Sequence, residues 1–512
     1  MRERLRLADL LAALSFVCDL GFGLPVETSL RSCMTGTELA RRLGLSEEEV
    51  ADVFYVSLLF HVGCVAYAHE TTALFGDDIA VNRAVARTNL ADSRELIGTL
   101  LPESTRGLPP AARVRGALRM TVSGRSFGRA HDQASCEVAR ATARRLRLPD
   151  GVTAGLYDIH EWWNGGGARG VRGDAIPLAA RIARVAMEAS VLCALDGENG
   201  VAERLHRRAG TTLDPHVVAA FKADAPNLLG RAASTDPRAK VLDLEPFPFV
   251  EIEEADLPLV AAAFGDLTDL KTPFLHGHSA EVARLAVLAA ERLGLDRLGV
   301  RRLEIAGLLH DVGRVGISNR IWEKPERLTV GEWEQVRMHP YLSERVLSSA
   351  AQLAPMASLA GMHHERLDRS GYHRGCRPSE MPPAARVLGV ADAFCAMSRS
   401  RPYRPALSTD HVADLLAREA NGGRLDRDVV SAVLQAVGGV RPQRLPGPSG
   451  LTDRERQVIR LVAQGCSNPE IGRRLGISSR TAEHHVQHVY AKIGASTRAA
   501  AALYALEHGL LA

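Results

Sequence analysis
The chain has 512 residues, 46% of them apolar and 24% charged, with a formal net charge of +3. That is too long for one ordinary core, so two to four domains are expected, in the composition of a soluble globular protein. The eight cysteines (18, 33, 64, 136, 193, 376, 395, 466) form no CxxC pair, which argues against a structural zinc site and fits a reducing cytoplasm, and no run of 18 apolar residues exists to span a membrane.

The first patterned segment is the apolar run Leu10 to Val17 behind Arg2, Arg4 and Arg6. Asp9 and Asp19 bracket it and no small-residue cleavage site follows, so it reads as a buried first helix rather than a signal peptide. Apolar residues at three- and four-residue spacing dominate beyond it, for example over 281–295 and 301–310, and alternating strand patterns are scarce; the chain is expected to be all-α. Prolines at 226, 237, 246, 248 and 258 interrupt the pattern, and GGVRPQRLPGPSG over 438–450 reads as a Gly/Pro-rich linker. The expected organisation is a domain over 1–230, a linker over 231–261, a domain over 262–437, a linker over 438–449 and a small domain over 450–512.

The two large blocks repeat each other. RRLGL at 41–45 matches ERLGL at 291–295, and at the same offset of 250 LLFHVG at 58–63 lies on LLHDVG at 308–313. HEWWNGGG at 160–167 resembles HERLDRSG at 364–371, IPLAARIARVA at 176–186 resembles MPPAARVLGVA at 381–391, and LDPHVV at 213–218 resembles LDRDVV at 425–430. Ordered matches of this kind mark a duplicated domain.

Seven of the 18 histidines fall between 276 and 373. His278, His310-Asp311, His339, His363-His364 and Asp392 are the informative group. The His310-Asp311 pair follows the apolar run 305–309, which sets an imidazole and a carboxylate at one helix end. A carboxylate can bridge two metal ions while neutral imidazoles fill the other positions.

The segments DLKTPFLHGHS (269–279), LLHDVGR (308–314), HP (339–340), HHERLDRSGYH (363–373), AARVLGVADAF (384–394) and RPYRPAL (401–407) resemble the HD-GYP family of HD-domain phosphohydrolases. The resemblance implies an all-helical fold holding two or three iron or manganese ions, with hydrolysis of cyclic di-GMP. Carried over by position, it implies His278, His310, Asp311, His339, His363, His364 and Asp392 as metal ligands, with Asp311 as the bridge. Two such ions hold a hydroxide nucleophile and neutralise phosphorane charge. Arg314, one turn beyond the pair, is expected to bind a phosphate oxygen; the family usually has Lys there. Phe274 stands where some members have an acidic ligand for a third ion, and Cys395 where the family usually has Asp, so two divalent ions are expected. The family's Gly-Tyr-Pro loop reads Gly371-Tyr372-His373, which leaves another phosphoester, or binding without turnover, open beside cyclic di-GMP.

The first block lacks this chemistry. Thr28 stands at the position of His278, Phe60-His61 at His310-Asp311, Cys64 at Arg314, Ile159-His160 at His363-His364 and Met187 at Asp392; His131 is the candidate counterpart of His339, outside the quoted matches. A degenerate copy kept for packing or regulation is expected, with a metal-free nucleotide pocket as the sharper alternative.

In the last block Thr452 caps a helix with Asp453 and Glu455 in its first turn, a short helix over 468–475 ends at Gly476, a long one runs over 478–493 and an Ala-rich one over 497–509. Two helices joined by a short turn, the second rich in polar donors, is helix-turn-helix geometry. The block 451–511 resembles the LuxR-type DNA-binding domain, which implies 478–493 as the recognition helix and dimer binding to an inverted repeat. Arg480, Thr481, Glu483, His484, His485, Gln487 and Lys492 are the expected DNA-facing residues, with Arg480 and Lys492 for phosphates. Glu483 stands where many relatives have Lys. Eight Lys/Arg against five Asp/Glu over this block equal the excess of the whole chain, so affinity should be salt-sensitive.

The sequence thus predicts two tandem HD-type helical domains, the first degenerate, followed by a four-helix helix-turn-helix domain. The expected protein is a cytoplasmic, homodimeric transcription regulator that binds double-stranded DNA and turns over or senses a phosphoester or cyclic dinucleotide. The alternatives are an enzyme whose helix-turn-helix serves only protein contacts, and a non-catalytic ligand-binding regulator.

Overall fold
The computed structural model describes residues 4–105, 110–233, 235–438 and 450–511, whose regular elements are almost all helices. The Gly/Pro-rich linker falls at 439–449, outside the described residues. Among the described residues, no helix is long and apolar enough to cross a membrane. Packing divides the chain into two units, Met1–Glu254 and Ala255–Ala512.

The first unit is built around the helix Leu7–Phe22, the expected first helix. Leu10, Leu11 and Leu14 on it are fully buried, each stabilising the fold by about 1.5–3 kcal/mol. The stretch 231–261, expected as a linker, carries structure of its own. It holds the helix Pro237–Leu244 and the strand Glu251–Glu253, which pairs antiparallel with Arg4–Arg6 at the other end of the unit. Glu245 between them accepts from Tyr55 Oη at 2.6 Å and from Arg6 Nε at 2.8 Å. The next helix, Leu257–Asp269, opens the second unit.

The repeat is visible in three polar pins that recur between the units. Asp19 accepts from Ser29 N and Oγ at 3.1 and 2.6 Å, and Asp269 from Ser279 N and Oγ at 2.9 and 2.8 Å. Glu161 ties down its following loop through Arg169 N and Val171 N, and Glu365 does so through Arg374 N, Gly375 N and Cys376 N. Arg181 reaches Asp214 at 2.7 Å, and Arg386 reaches Asp426 at 2.9 Å. Each pin sits at the offset of its sequence match, and the helices Thr28–Arg42 and His278–Arg292 start 250 residues apart. The protein carries two tandem HD-type helical folds.

The second unit ends in four helices, Asp453–Ala463, Asn468–Leu475, Ser479–Ile493 and Arg498–Glu507. Thr452 and Glu455 form a capping box at the first, and Gly476 and Gly494 close the second and third in the left-handed conformation. The last helix packs on Leu257–Asp269. Leu506 and Leu511 approach Gly277, and His276 Nδ1 hydrogen-bonds the carbonyl of Ala463.

Candidate metal centre and nucleic-acid surface
Four helices deliver the histidines. His278 is the first residue of His278–Arg292, set there by Gly277 at φ 78° and by the Asp269 pin on Ser279. His310 caps the end of Arg297–Leu309, His339 lies within Val330–Ser348, and His363-His364 follow Ala354–Gly361. His310, His339 and His363 share one device: Nδ1 donates to the carbonyl three residues earlier, at 2.8 Å to Gly307, 2.6 Å to Val336 and 2.5 Å to Ala360. The bonds fix the rings with Nε2 turned to a common centre.

Asp311 occupies that centre. Its Oδ2 lies 3.4 Å from His310 Nε2 and 3.6 Å from His278 Nε2, and its Oδ1 lies 3.4 Å from His339 Nε2 and 3.6 Å from His363 Nε2. Asp392 Oδ1 is 3.1 Å from His278 Nε2, and its Oδ2 is 3.8 Å from His364 Nδ1. Two sets of three side chains, His278–His310–Asp392 and His339–His363–His364, each bring one donor atom to within 4.8 Å of the others, and Asp311 joins His310 and His363 in a third. The centre is closed to solvent: all of these except His364 are buried.

The electrostatics suit a cation. Burial pushes His278 down to about 4, His339 to about 3 and His363 to about 4, so these imidazoles are neutral with free lone pairs. Burial opposes a charge on His310 as well, but Asp311 and Asp392 outweigh it and lift that ring to about 10. Both carboxylates stay well below the usual range despite their burial, held down by the surrounding Arg and His groups. His310 Nε2 is buried without a hydrogen-bond partner. Three neutral imidazoles, two ionised carboxylates and a His310 Nε2 that lacks a hydrogen-bond partner and would exchange its proton for a cation fit the donor set of a divalent metal.

Around the centre, Arg314 donates NH1 to Asp311 Oδ2 at 2.8 Å and rests its guanidinium 4.0 Å over the Trp322 ring. Gly371 has no room for a side chain, since a Cβ would meet Glu365 Cα at 2.5 Å and His364 O at 2.6 Å; this close approach lays the Tyr372 ring against His364, 4.8 Å between centroids. Phe274 offers only its backbone carbonyl, to Arg401 at 3.3 Å. Cys395 is buried and its thiol pushed well up, so it packs rather than ligates. Trp322 lies outside the sequence motifs, and Asp269, Glu365 and Arg401 lie inside them without an expected role. Of these, Glu365 could have been found, since a Glu follows the ligand-position His in both copies.

In the first unit Thr28 bonds the Pro25 carbonyl at 2.6 Å, His61 stacks on Phe22, Phe60 meets His160 edge-on, and Met187 is buried. Among the described residues of this unit no three ligand-type side chains come within ligation distance. On the helix Ser479–Ile493, Ala482, Val486, Val489 and Tyr490 face the bundle, while Arg480, Thr481, Glu483, His484 and Gln487 are exposed and His485 is half-buried. Lys492 is already engaged, with Glu455 Oε2 at 2.7 Å and Gly450 O at 2.9 Å.

A family model described as HD domain matches residues 263–429, and one for bacterial regulatory proteins of the luxR family matches 449–505. A 3'3'-cGAMP-specific phosphodiesterase of Vibrio cholerae is 30% identical over 441 residues, which cover 84% of this chain and 94% of the relative. The chain belongs to the HD-GYP family of HD-domain phosphohydrolases. It carries a LuxR-type helix-turn-helix at its C-terminal end. The HD-GYP fold is also that of the crystal structure of a cyclic GMP-AMP specific phosphodiesterase of V. cholerae, which superposes with a TM-score of 0.59 at 28% identity over 86% of this chain and 99% of that one. A cyclic di-GMP phosphodiesterase of Thermotoga maritima is 37% identical over 140 residues, 27% of this HD-GYP chain and 38% of the relative's length. As in HD-domain phosphohydrolases generally, the chemistry of this family is metal-dependent.

Proposed function
We propose that this chain is a DNA-binding regulator whose second HD domain hydrolyses a cyclic dinucleotide, 3'3'-cGAMP or cyclic di-GMP, and thereby biases its helix-turn-helix. The observation that carries the reading is Asp311, whose two oxygens face two separate sets of histidines. His278, His310 and Asp392 would hold one divalent ion and His339, His363 and His364 a second, iron or manganese, with Asp311 shared. Such ions polarise a phosphodiester and activate water at neutral pH.

The chain's own residues do the rest. The carbonyls of Gly307, Val336 and Ala360 hold three imidazoles in register before any ligand arrives. Arg314, braced by Trp322 and with its Nε unpartnered, supplies a cation for a phosphate oxygen beside Asp311. Tyr372, over His364, offers a ring face to a base and narrows the approach of water. The exposed face of Ser479–Ile493 reads DNA as a dimer, with Lys492 serving Glu455 rather than a phosphate. His276 lies two residues before His278 and bonds Ala463 of the helix-turn-helix, which gives the metal centre and the DNA-binding domain a shared segment.

The test is turnover of 3'3'-cGAMP and of cyclic di-GMP by the full chain purified without oxygen. Linear dinucleotide or mononucleotide products that vanish in Asp311→Ala are expected. Metal-loaded protein that cleaves neither compound would refute hydrolysis of a cyclic dinucleotide.

A further inference from the structure
The first unit contains a half-open cleft with about 90 Å³ free to the centres of water-sized molecules; such concave sites, lined by rings and a few polar groups, are where small molecules bind. Phe60, His61, His131, His160 and Met187 line it; Phe60, His61, His160 and Met187 stand at the positions that carry His310, Asp311, His364 and Asp392 in the second copy, and His131 is the candidate counterpart of His339. At these positions the first copy has a cleft whose lining no longer offers a ligand set. Phe60 and Met187 put apolar surface where the other copy has a ligand. The His61 ring stacks on Phe22, 4.2 Å between centroids, with its Nδ1 buried and unpartnered, and Thr212 on the same lining has a buried hydroxyl without a partner. Buried polar atoms of this kind are costly unless something arrives to bond them.

The charges inside cancel. Arg184 and Arg208 both spend themselves on Glu188, at 3.3 and 2.7 Å, and Glu95 comes within 3.5 Å of Arg208. Asp132 lies 3.3 Å from His131 Nδ1, and burial keeps His61 and His160 neutral. A phosphate drawn fully inside would find no uncommitted cation, whereas a flat, uncharged ring with donors and acceptors along its edge would meet ring faces at Phe22 and Phe60, an acceptor in Asp132, and the open valences of His61 and Thr212.

We propose that this cleft binds a purine-bearing ligand, with the base inside and any phosphate left at the mouth. The site is distinct from the metal centre and does not depend on turnover there.

The experiment is calorimetric titration of the full chain carrying Asp311→Ala, which removes turnover in the second unit, with guanosine, adenosine, GMP and 3'3'-cGAMP. Saturable binding of at least one purine nucleoside is expected, and for guanosine and GMP an affinity equal within about tenfold, because the phosphate stays outside. His61→Phe and Thr212→Val, each added to this background, should weaken binding about tenfold or more. Thr212→Val keeps the side-chain shape and serves if His61→Phe fails to fold, as judged by circular dichroism. No binding by any of the four compounds would overturn the proposal. So would binding of 3'3'-cGAMP alone, or nucleoside binding that both variants leave unchanged, since the ligand would then lie elsewhere.

Discussion

Arg314 has its guanidinium clamped between the Trp322 ring and Asp311, at 4.0 and 2.8 Å, and its proposed role is to meet a phosphate oxygen beside Asp311. It carries no lone pair and cannot be a ligand. Arg314→Ala should therefore leave metal content intact and lower turnover of 3'3'-cGAMP about 30- to 1000-fold, the effect of losing about 2–4 kcal/mol of charge-assisted transition-state contact. Arg314→Lys should recover much of it, because the charge survives. Full turnover in the Ala variant would move the phosphate away from this residue. At this scale the clustered histidines and carboxylates were readable in the sequence because they sit in short contiguous motifs, His310-Asp311 and His363-His364 above all. Trp322 was not, because it reaches the site only through the fold of the segment after Arg314.

Helices and their ends carry the next level. The helix Ser479–Ile493, the expected recognition helix, was legible from Ser478, which caps its start; Gly494 closes its end. The engagement of Lys492 was not, because its partner Glu455 is 37 residues away and belongs to the capping box of another helix. Its outward face predicts that His484→Ala with Gln487→Ala weakens specific promoter binding by about 1–3 kcal/mol per lost base contact. Glu483→Lys should tighten non-specific binding and steepen its salt dependence, as read by fluorescence anisotropy across a salt series. Unaltered binding in the double variant would shift the recognition surface to another face.

The Asp19 pin adds a pH dependence at the same level. Burial pushes Asp19 up to about 7 against the hydrogen bonds from Ser29, while an unfolded Asp titrates at about 3.9. Between these values the folded chain holds a proton that the unfolded chain has lost, so this group's stabilising contribution is complete below about 4 and declines as pH rises toward 7. Asp19→Asn should flatten that decline in thermal unfolding scans between about pH 5 and pH 7.5. An unchanged pH slope would mean that Asp19 titrates normally in the folded chain.

For the molecule as a whole, the duplication was legible because five ordered matches share compatible offsets, and all three polar pins fall on or beside them. The extent of the first unit was less legible. Prolines at 237, 246, 248 and 258 suggest a linker, yet Pro237 starts a helix and the following strand pairs back to Arg4–Arg6; a proline at a helix start is favourable, and sequence pattern alone does not reveal a partner 247 residues away. The bond from His276 to Ala463 ties the helix-turn-helix to the segment that delivers His278. His276→Ala should loosen that tie and raise DNA affinity of the full chain with no change in metal content, measured by anisotropy and elemental analysis together; equal DNA affinity would leave the two domains uncoupled through this segment. Metal content of the full chain also bears most directly on the site itself. Elemental analysis of protein purified without oxygen, wild type beside Asp311→Ala, should find about two transition-metal ions per chain in the first and loss of most of them in the second, because the shared carboxylate is the charge that lets both sets of histidines bind. About one ion or fewer in the wild type, or an unchanged content in Asp311→Ala, would contradict a two-ion centre bridged by Asp311.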